Sequence, residues 1–248
     1  MLGYRKQEYK VRKQRVKLII EYDGTDFFGW QIQPNKRTVQ GEIENALKKI
    51  YKKRIKIDGA GRTDKGVHAY GMVASLNVTN KLSPFELKNA INGNIGHDIL
   101  VRECVKVSDD FHARFSALSR IYQYQIYKGK SVFKRRYYLN MKEEINLNLM
   151  KRASKKIVGK KDFSNLSTKD KGVCDIKRIE IKKKRNEIYI IVEADHFLRR
   201  LVLGIVGLLL EVGKEHLKLE DVEKVISGKL KRTPVATSKG LILLKVLY

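Results

Sequence analysis

Ile55-Lys56-Ile57-Asp58-Gly59-Ala60-Gly61-Arg62-Thr63-Asp64-Lys65-Gly66-Val67-His68-Ala69 runs from a short strand, Ile55 to Asp58, into a glycine-rich loop. Beyond it Met72, Ala74, Leu76 and Val78 alternate as one face of the next strand. Two strands therefore follow one another with no helix between them. Outward on the N-terminal side, Val39, Ile43, Ala46, Leu47 and Ile50 recur at helical spacing behind Thr38 as N-cap. Before them Val16, Leu18, Ile20 and Tyr22 alternate as a strand closed by the Asp23-Gly24 turn signal. On the C-terminal side Ser83-Pro84-Phe85-Glu86 opens a helix, with Ser at the cap, Pro in the first turn and Glu three residues on. Gly93 ends it, and Leu100 to Val107 reads as a strand. The order is β-α-β-β-α-β.

The second half reads the same way. Arg120 to Tyr127 is a strand with Tyr122, Tyr124 and Ile126 on one face, and Leu147 to Val158 is a helix ending at Gly159. Ile176 to Lys182 and Glu187 to Glu193 form a hairpin across Arg185-Asn186. Phe197 to Val212 is a long apolar helix, Leu219 to Ile226 a short one, and Leu241 to Leu247 the closing strand. The chain is thus expected to be α+β, with two ferredoxin-like halves whose mostly antiparallel sheets form a central cleft. The expected division is a basic N-terminal arm at 1–15, a first half at 16–110 and a second at 111–248.

Lys and Arg number 53 against 27 acids among 248 residues, a formal net charge of +26. Such an excess points to a polyanionic partner, because basic side chains gain affinity by releasing counterions from phosphates. A heat-adapted surface would raise Glu alongside Lys, and here the acids lag. Cys104 and Cys174, the only cysteines, cannot make a zinc site alone, and the histidines show no ligand spacing. Two lone thiols suggest a reducing compartment. The apolar run Leu201 to Leu210, bounded by Arg200 and Glu211, is too short to span a bilayer and reads as a buried helix. No secretory signal is expected.

The loop invites several readings that its residues refuse. A dinucleotide fingerprint needs Gly where Asp64 stands, and a carboxylate there would repel pyrophosphate. No Gly-Lys-Ser/Thr follows for a phosphate-cradling loop, and Val67-His68-Ala69 lacks the aromatics of an RNA-recognition motif. An ionised carboxylate suits attack or proton abstraction, and the neighbouring Arg62 and Lys65 are expected to favour that form. A glycosidase would want a second acid, absent from this motif. Taken alone, an Asp in a glycine-rich loop is more often a turn residue, or a structural partner of Arg62, than a catalyst.

Its company along the chain reverses that weighting. Gly61-Arg62-Thr63-Asp64-Lys65-Gly66-Val67-His68-Ala69 resembles the signature of TruA-type tRNA pseudouridine synthases. Tyr22-Asp23-Gly24-Thr25-Asp26-Phe27-Phe28-Gly29-Trp30-Gln31 resembles that family's opening motif, and Thr38-Val39-Gln40-Gly41 follows in place. Phe111-His112-Ala113-Arg114-Phe115-Ser116-Ala117 resembles a third block, with Arg120-x-Tyr122-x-Tyr124 after it. The resemblance runs from about Val16 to the C-terminus. It implies that Asp64 is the catalytic aspartate acting on a flipped-out uridine, that Arg62 helps displace the target base and holds RNA, and that Tyr122 stacks on the uracil. Tyr122 also has an ordinary reading as strand-face packing. The resemblance further implies a cytoplasmic homodimeric enzyme acting on the anticodon stem-loop of tRNA, with no cofactor and no metal.

One departure stands out. In Phe197-Leu198-Arg199-Arg200-Leu201-Val202-Leu203-Gly204-Ile205-Val206-Gly207, leucine occupies position 203, where the family pattern has the arginine that pairs with the catalytic Asp. Arg199 and Arg200, four and three residues earlier, are the candidate substitutes, expected on the same broad helical face. The alternative reading is a tandem ferredoxin-like RNA-binding protein that has lost activity. His68 and His112 are expected to orient loops. The basic stretch Lys128 to Arg136 around Phe133 reads as an RNA-holding loop or a solvated one.

Overall fold

The computed structural model describes residues 12–248; of the basic arm expected at 1–15, residues 1–11 lie outside them. Strand β1 spans Lys13–Tyr22, so Lys13 to Arg15, expected in the arm, belong to the sheet. Helix α1 (Val39–Tyr51) is capped by Thr38, whose hydroxyl accepts the N–H of Gly41. Strand β2 is only Asp58–Gly59, shorter than the expected strand from Ile55; Ile55 and Ile57 still bury their side chains, but among the described residues no ladder partner reaches them. Strand β3 (His68–Thr79), helix α2 (Pro84–Asn92) and strand β4 (Ile99–Lys106) complete the first half. Helix α2 carries the capping box read from Ser83 and Glu86.

In the second half, β5 (Ser119–Lys128) is followed by β6 (Leu139–Met141), α3 (Leu147–Ile157) and β7 (Gly159–Asp162). The hairpin β8 (Val173–Lys184) and β9 (Glu187–Ala194) leads to α4 (Leu201–Gly213), α5 (Asp221–Ile226) and β10 (Leu241–Leu247). The short strands β6 and β7 were not visible in the sequence. Gly159-Lys160-Lys161-Asp162 has no apolar alternation and is held only by its pairing with β8.

The strands form one sheet in the order β4-β1-β3-β10-β5-β9-β8-β7, with β2 on β3 and β6 on β5. Pairing is antiparallel except for β10 with β3 and β6 with β5. The two halves are therefore one continuous sheet joined through β10. Register places Ile99, Tyr22, Ala69, Leu243, Tyr122 and Val192 in one row across six neighbouring strands. Residues directly opposite one another share a face, so Tyr22 and Tyr122 stand on the same side of the sheet, on either side of the strand that leaves the Asp64 loop.

Helix α1 packs on α2, and α3 packs on α4 and α5. All of α4 except Glu211 is buried within this chain. That helix is core packing and offers no apolar face to a second subunit. No helix of the described residues is long and apolar enough to cross a membrane.

Candidate active site

The loop between β2 and β3 is shaped by close backbone contacts. Gly29 adopts φ +94°, and a Cβ there would come within 2.5 Å of the Thr63 carbonyl oxygen. At Gly24 an added Cβ would meet the Val67 carbonyl oxygen at 2.0 Å. These approaches explain why a motif forty residues upstream is needed: its turns are the bed on which the loop lies. The N–H of Trp30 donates to the Thr63 carbonyl at 3.1 Å, and the N–H of Val67 closes a turn onto the Asp64 carbonyl at 3.1 Å. The Tyr22 hydroxyl lies 2.8 Å from Oγ1 of buried Thr63, which fixes the residue before Asp64 from the sheet side.

His68 locks the other end of the loop. Its Nδ1 accepts the N–H of Gly24 at 3.0 Å, leaving Nε2 to donate to the Lys239 carbonyl at 3.2 Å. Burial holds its pKa below the ordinary histidine value against the pull of Asp23, whose Oδ1 lies 3.1 Å from Nδ1. His112 likewise accepts the N–H groups of Arg114 and Phe115 on Nδ1. Both histidines orient loops.

Arg120 joins the loop to the second half. Its guanidinium donates to the carbonyls of Ala60 (2.9 Å), Arg114 (2.8 Å) and Asp195 (2.7 Å). A planar fork of donors suits this task, in which three separate segments must be held by one side chain. Sequence reasoning placed Arg120 in a motif but gave it no role.

Asp64 is about one-third exposed, and Arg199 Nε lies 3.8 Å from its Oδ1. Burial raises its pKa above the ordinary carboxylate value; Arg199 and Arg200 pull it back, and Asp170 adds to the rise. This corrects the expectation that Arg62 and Lys65 provide the positive field. Arg62 is exposed and makes no ion pair among the described residues, and Lys65 sits over the Phe28 ring with its ammonium 4.3 Å from the centroid. The cations come instead from the far half of the chain.

Arg199 and Arg200 are not on the α4 surface, as helical spacing suggested. The helix begins at Leu201, and Arg200 has a left-handed backbone at φ 59°. This sharp change of direction frees Arg199 from the helical register and lets it reach Asp64. Arg200 Nε is enclosed with no hydrogen-bond partner among the described residues. Leu203, by contrast, is fully buried in α4, and its carbonyl accepts the N–H of Ala236.

Tyr122 closes the site from β5. It is 9% exposed, and its ring meets Phe197 edge-on at 5.3 Å with the planes at 90°. Burial and the nearby Asp64 carboxylate both push its pKa up, so the phenol stays neutral. Its face-mates Tyr124 and Ile126 are fully buried. Tyr122 is thus the member of that face that retains some exposure, beside Asp64. The structure gathers Asp64, Arg199, Arg200 and Tyr122, together with Asp170, Phe197 and Tyr22, which the sequence reading did not assign. Arg62 stands on the loop beside them.

A partly buried acid facing basic side chains, on a strongly cationic molecule, has the character of a site that meets a polyanion. The sequence profile of the family described as tRNA pseudouridine synthase matches residues 18–116 and 153–248. A tRNA pseudouridine synthase A of Thermosipho melanesiensis is 41% identical over 243 residues, covering 95% of this chain and 100% of that protein. Its counterpart from Thermotoga petrophila is 40% identical over 244 residues, with the same coverage. The chain belongs to the tRNA pseudouridine synthase family.

Proposed function

We propose that this protein isomerises uridine to pseudouridine in the anticodon stem-loop of tRNA, in the cytoplasm and as a homodimer, with Asp64 as the catalytic carboxylate. The target nucleotide must leave the stack, because a stacked base hides the reacting atoms. Arg62, exposed on the loop, displaces the base and holds the RNA backbone. Tyr122 offers the extruded uracil a flat, neutral aromatic surface. Asp64 acts on the flipped-out uridine in its ionised form. The C1′–N1 bond breaks, the uracil turns, a C1′–C5 bond forms, C5 loses its proton and N1 takes one up, so the product is an isomer. Arg199 favours the ionised form of Asp64 against the cost of its burial.

The observation that supports this reading best is the Asp64–Arg199 contact at 3.8 Å. It supplies a cationic partner where the family pattern's arginine is replaced by Leu203. The test is to incubate the purified protein with unmodified tRNA and map pseudouridine, beside an Asp64→Ala control. Isomerisation in the anticodon stem-loop that the control lacks is expected. Tight binding without isomerisation by the unmutated chain would leave an RNA-binding protein and overturn the enzyme reading. Light scattering checks the dimer.

A further inference from the structure

Arg199 is held by its backbone. Asp170 Oδ2 accepts its N–H at 2.8 Å, while its carbonyl accepts the Ser167 hydroxyl at 3.1 Å and the N–H of Thr168 at 3.2 Å. Both sides of this residue are therefore tied to one loop, residues 167–170, between β7 and β8. The loop is itself anchored. Ser167 Oγ accepts the N–H of Asp170 at 3.1 Å, and Arg232 Nη1 donates to the Ser167 carbonyl at 2.7 Å. No helical register can do this work, since α4 begins two residues later and Arg200 intervenes with a left-handed backbone.

We infer that Asp170 is a positioning residue for the isomerisation: its carboxylate holds Arg199 where the guanidinium meets Asp64. The inference rests on the reading of Asp64 as the catalytic carboxylate. A hydrogen bond from a backbone N–H to a carboxylate is among the stronger kinds, which suits a residue with no helix to hold it. Asp170 also acts on Asp64 directly, as a like charge. The groups that face Asp64 are Arg199 and Arg200 from the segment before α4, Asp170 from the 167–170 loop, and Tyr122 from β5. Asp170 thus places the cation that favours ionisation while opposing ionisation with its own charge. The two effects are separable by substitution.

Asp170→Asn keeps an oxygen to accept the Arg199 N–H but removes the charge, whereas Asp170→Ala removes both. The Asp64 carboxyl is titrated in the whole protein by carbon-13 NMR, without substrate, in the unmutated chain and both variants. Asp170→Asn is expected to titrate below the unmutated chain. Asp170→Ala is expected to titrate above Asp170→Asn, by about half a pH unit or more, because Arg199 is released. Coincident titrations in the two variants would overturn the inference, since charge loss alone would then account for both.

Single-turnover isomerisation supplies the second readout. Asp170→Ala should slow the step about tenfold or more in the unmutated background, from a lost charge-assisted hydrogen bond and a misplaced cation, and scarcely at all in an Arg199→Ala background. Equal losses in both backgrounds would show that Asp170 does not act through Arg199. A protein that never isomerises uridine would sink the functional reading, and the titration would still decide the role of Asp170.

Discussion

Asp64 and Arg199 approach to 3.8 Å from two regions that are held in different ways. The Gly61–Ala69 loop rests on a bed made by the Tyr22–Gln31 motif, through Gly29, Trp30 and Gly24, with Tyr22 and His68 as side-chain locks. The Phe197–Leu203 segment has no such bed. It is fixed by hydrogen bonds from a loop some thirty residues upstream and by a left-handed residue at its centre. The first region tolerates little change at Gly24 and Gly29, because there backbone approaches backbone. In the second, the cation stands outside the helical register, and side chains from elsewhere decide where it lies.

Changes to the two sides should therefore fail differently. The largest effect is expected at the acid itself. Asp64→Ala should reduce pseudouridine formation by about a thousandfold or more, as loss of a catalytic carboxylate does, while tRNA binding measured by filter retention stays near that of the unmutated chain. Arg199→Ala should lower the single-turnover rate by about ten- to a hundredfold, because an unpaired, partly buried carboxylate is harder to ionise. Adding Leu203→Arg to that variant should recover part of the loss by restoring a cation inside α4. A double variant no faster than Arg199→Ala would show that position 203 no longer addresses the site.

On the bedded side, Gly29→Ala should act on stability before chemistry. A left-handed φ and a 2.5 Å approach to Thr63 make the added methyl cost about 1–3 kcal/mol in denaturant unfolding. A smaller effect concerns acidity. The folded-state pKa of Asp64 is raised, so turnover should fall as pH drops through that raised value, above the range where an ordinary aspartate titrates. Stability runs the opposite way with pH. A raised carboxyl pKa disfavours the folded state once pH exceeds it, so Asp64→Asn should raise the thermal midpoint at neutral pH by roughly 1–3 °C.

The difference between the regions also explains what the sequence made legible. Alternating Val16, Leu18, Ile20 and Tyr22, the Ser83–Glu86 capping box and the periodic α1 are local signals, and each element formed where they predict. The glycine loop was legible because its constraints act through residue types with few uses. Arg199 was recognised as a candidate for the wrong reason, its spacing on a helix that in fact starts later. Asp170 left no signal at all. Its partner is a backbone N–H, which has no side-chain identity to match. The source of the field on Asp64 was misread for a related reason. Arg62 and Lys65 are neighbours in sequence, but one points to solvent and the other lies on Phe28.

Strand β10 inserts between β3 and β5, with Ile242 opposite His68 and Leu243 between Ala69 and Tyr122. In terms of synthesis, the Asp64 loop emerges some 170 residues before the strand that seats it beside Tyr122. A nascent chain holding everything up to Gly240 has the acid, its arginine and its tyrosine, but lacks the strand that joins β3 to β5. Closing that seam is a pairing of high sequence separation, entropically the hardest kind to form early. In a chain made from its N-terminus, β3 and β5 therefore have no shared neighbouring strand until the last residues are added.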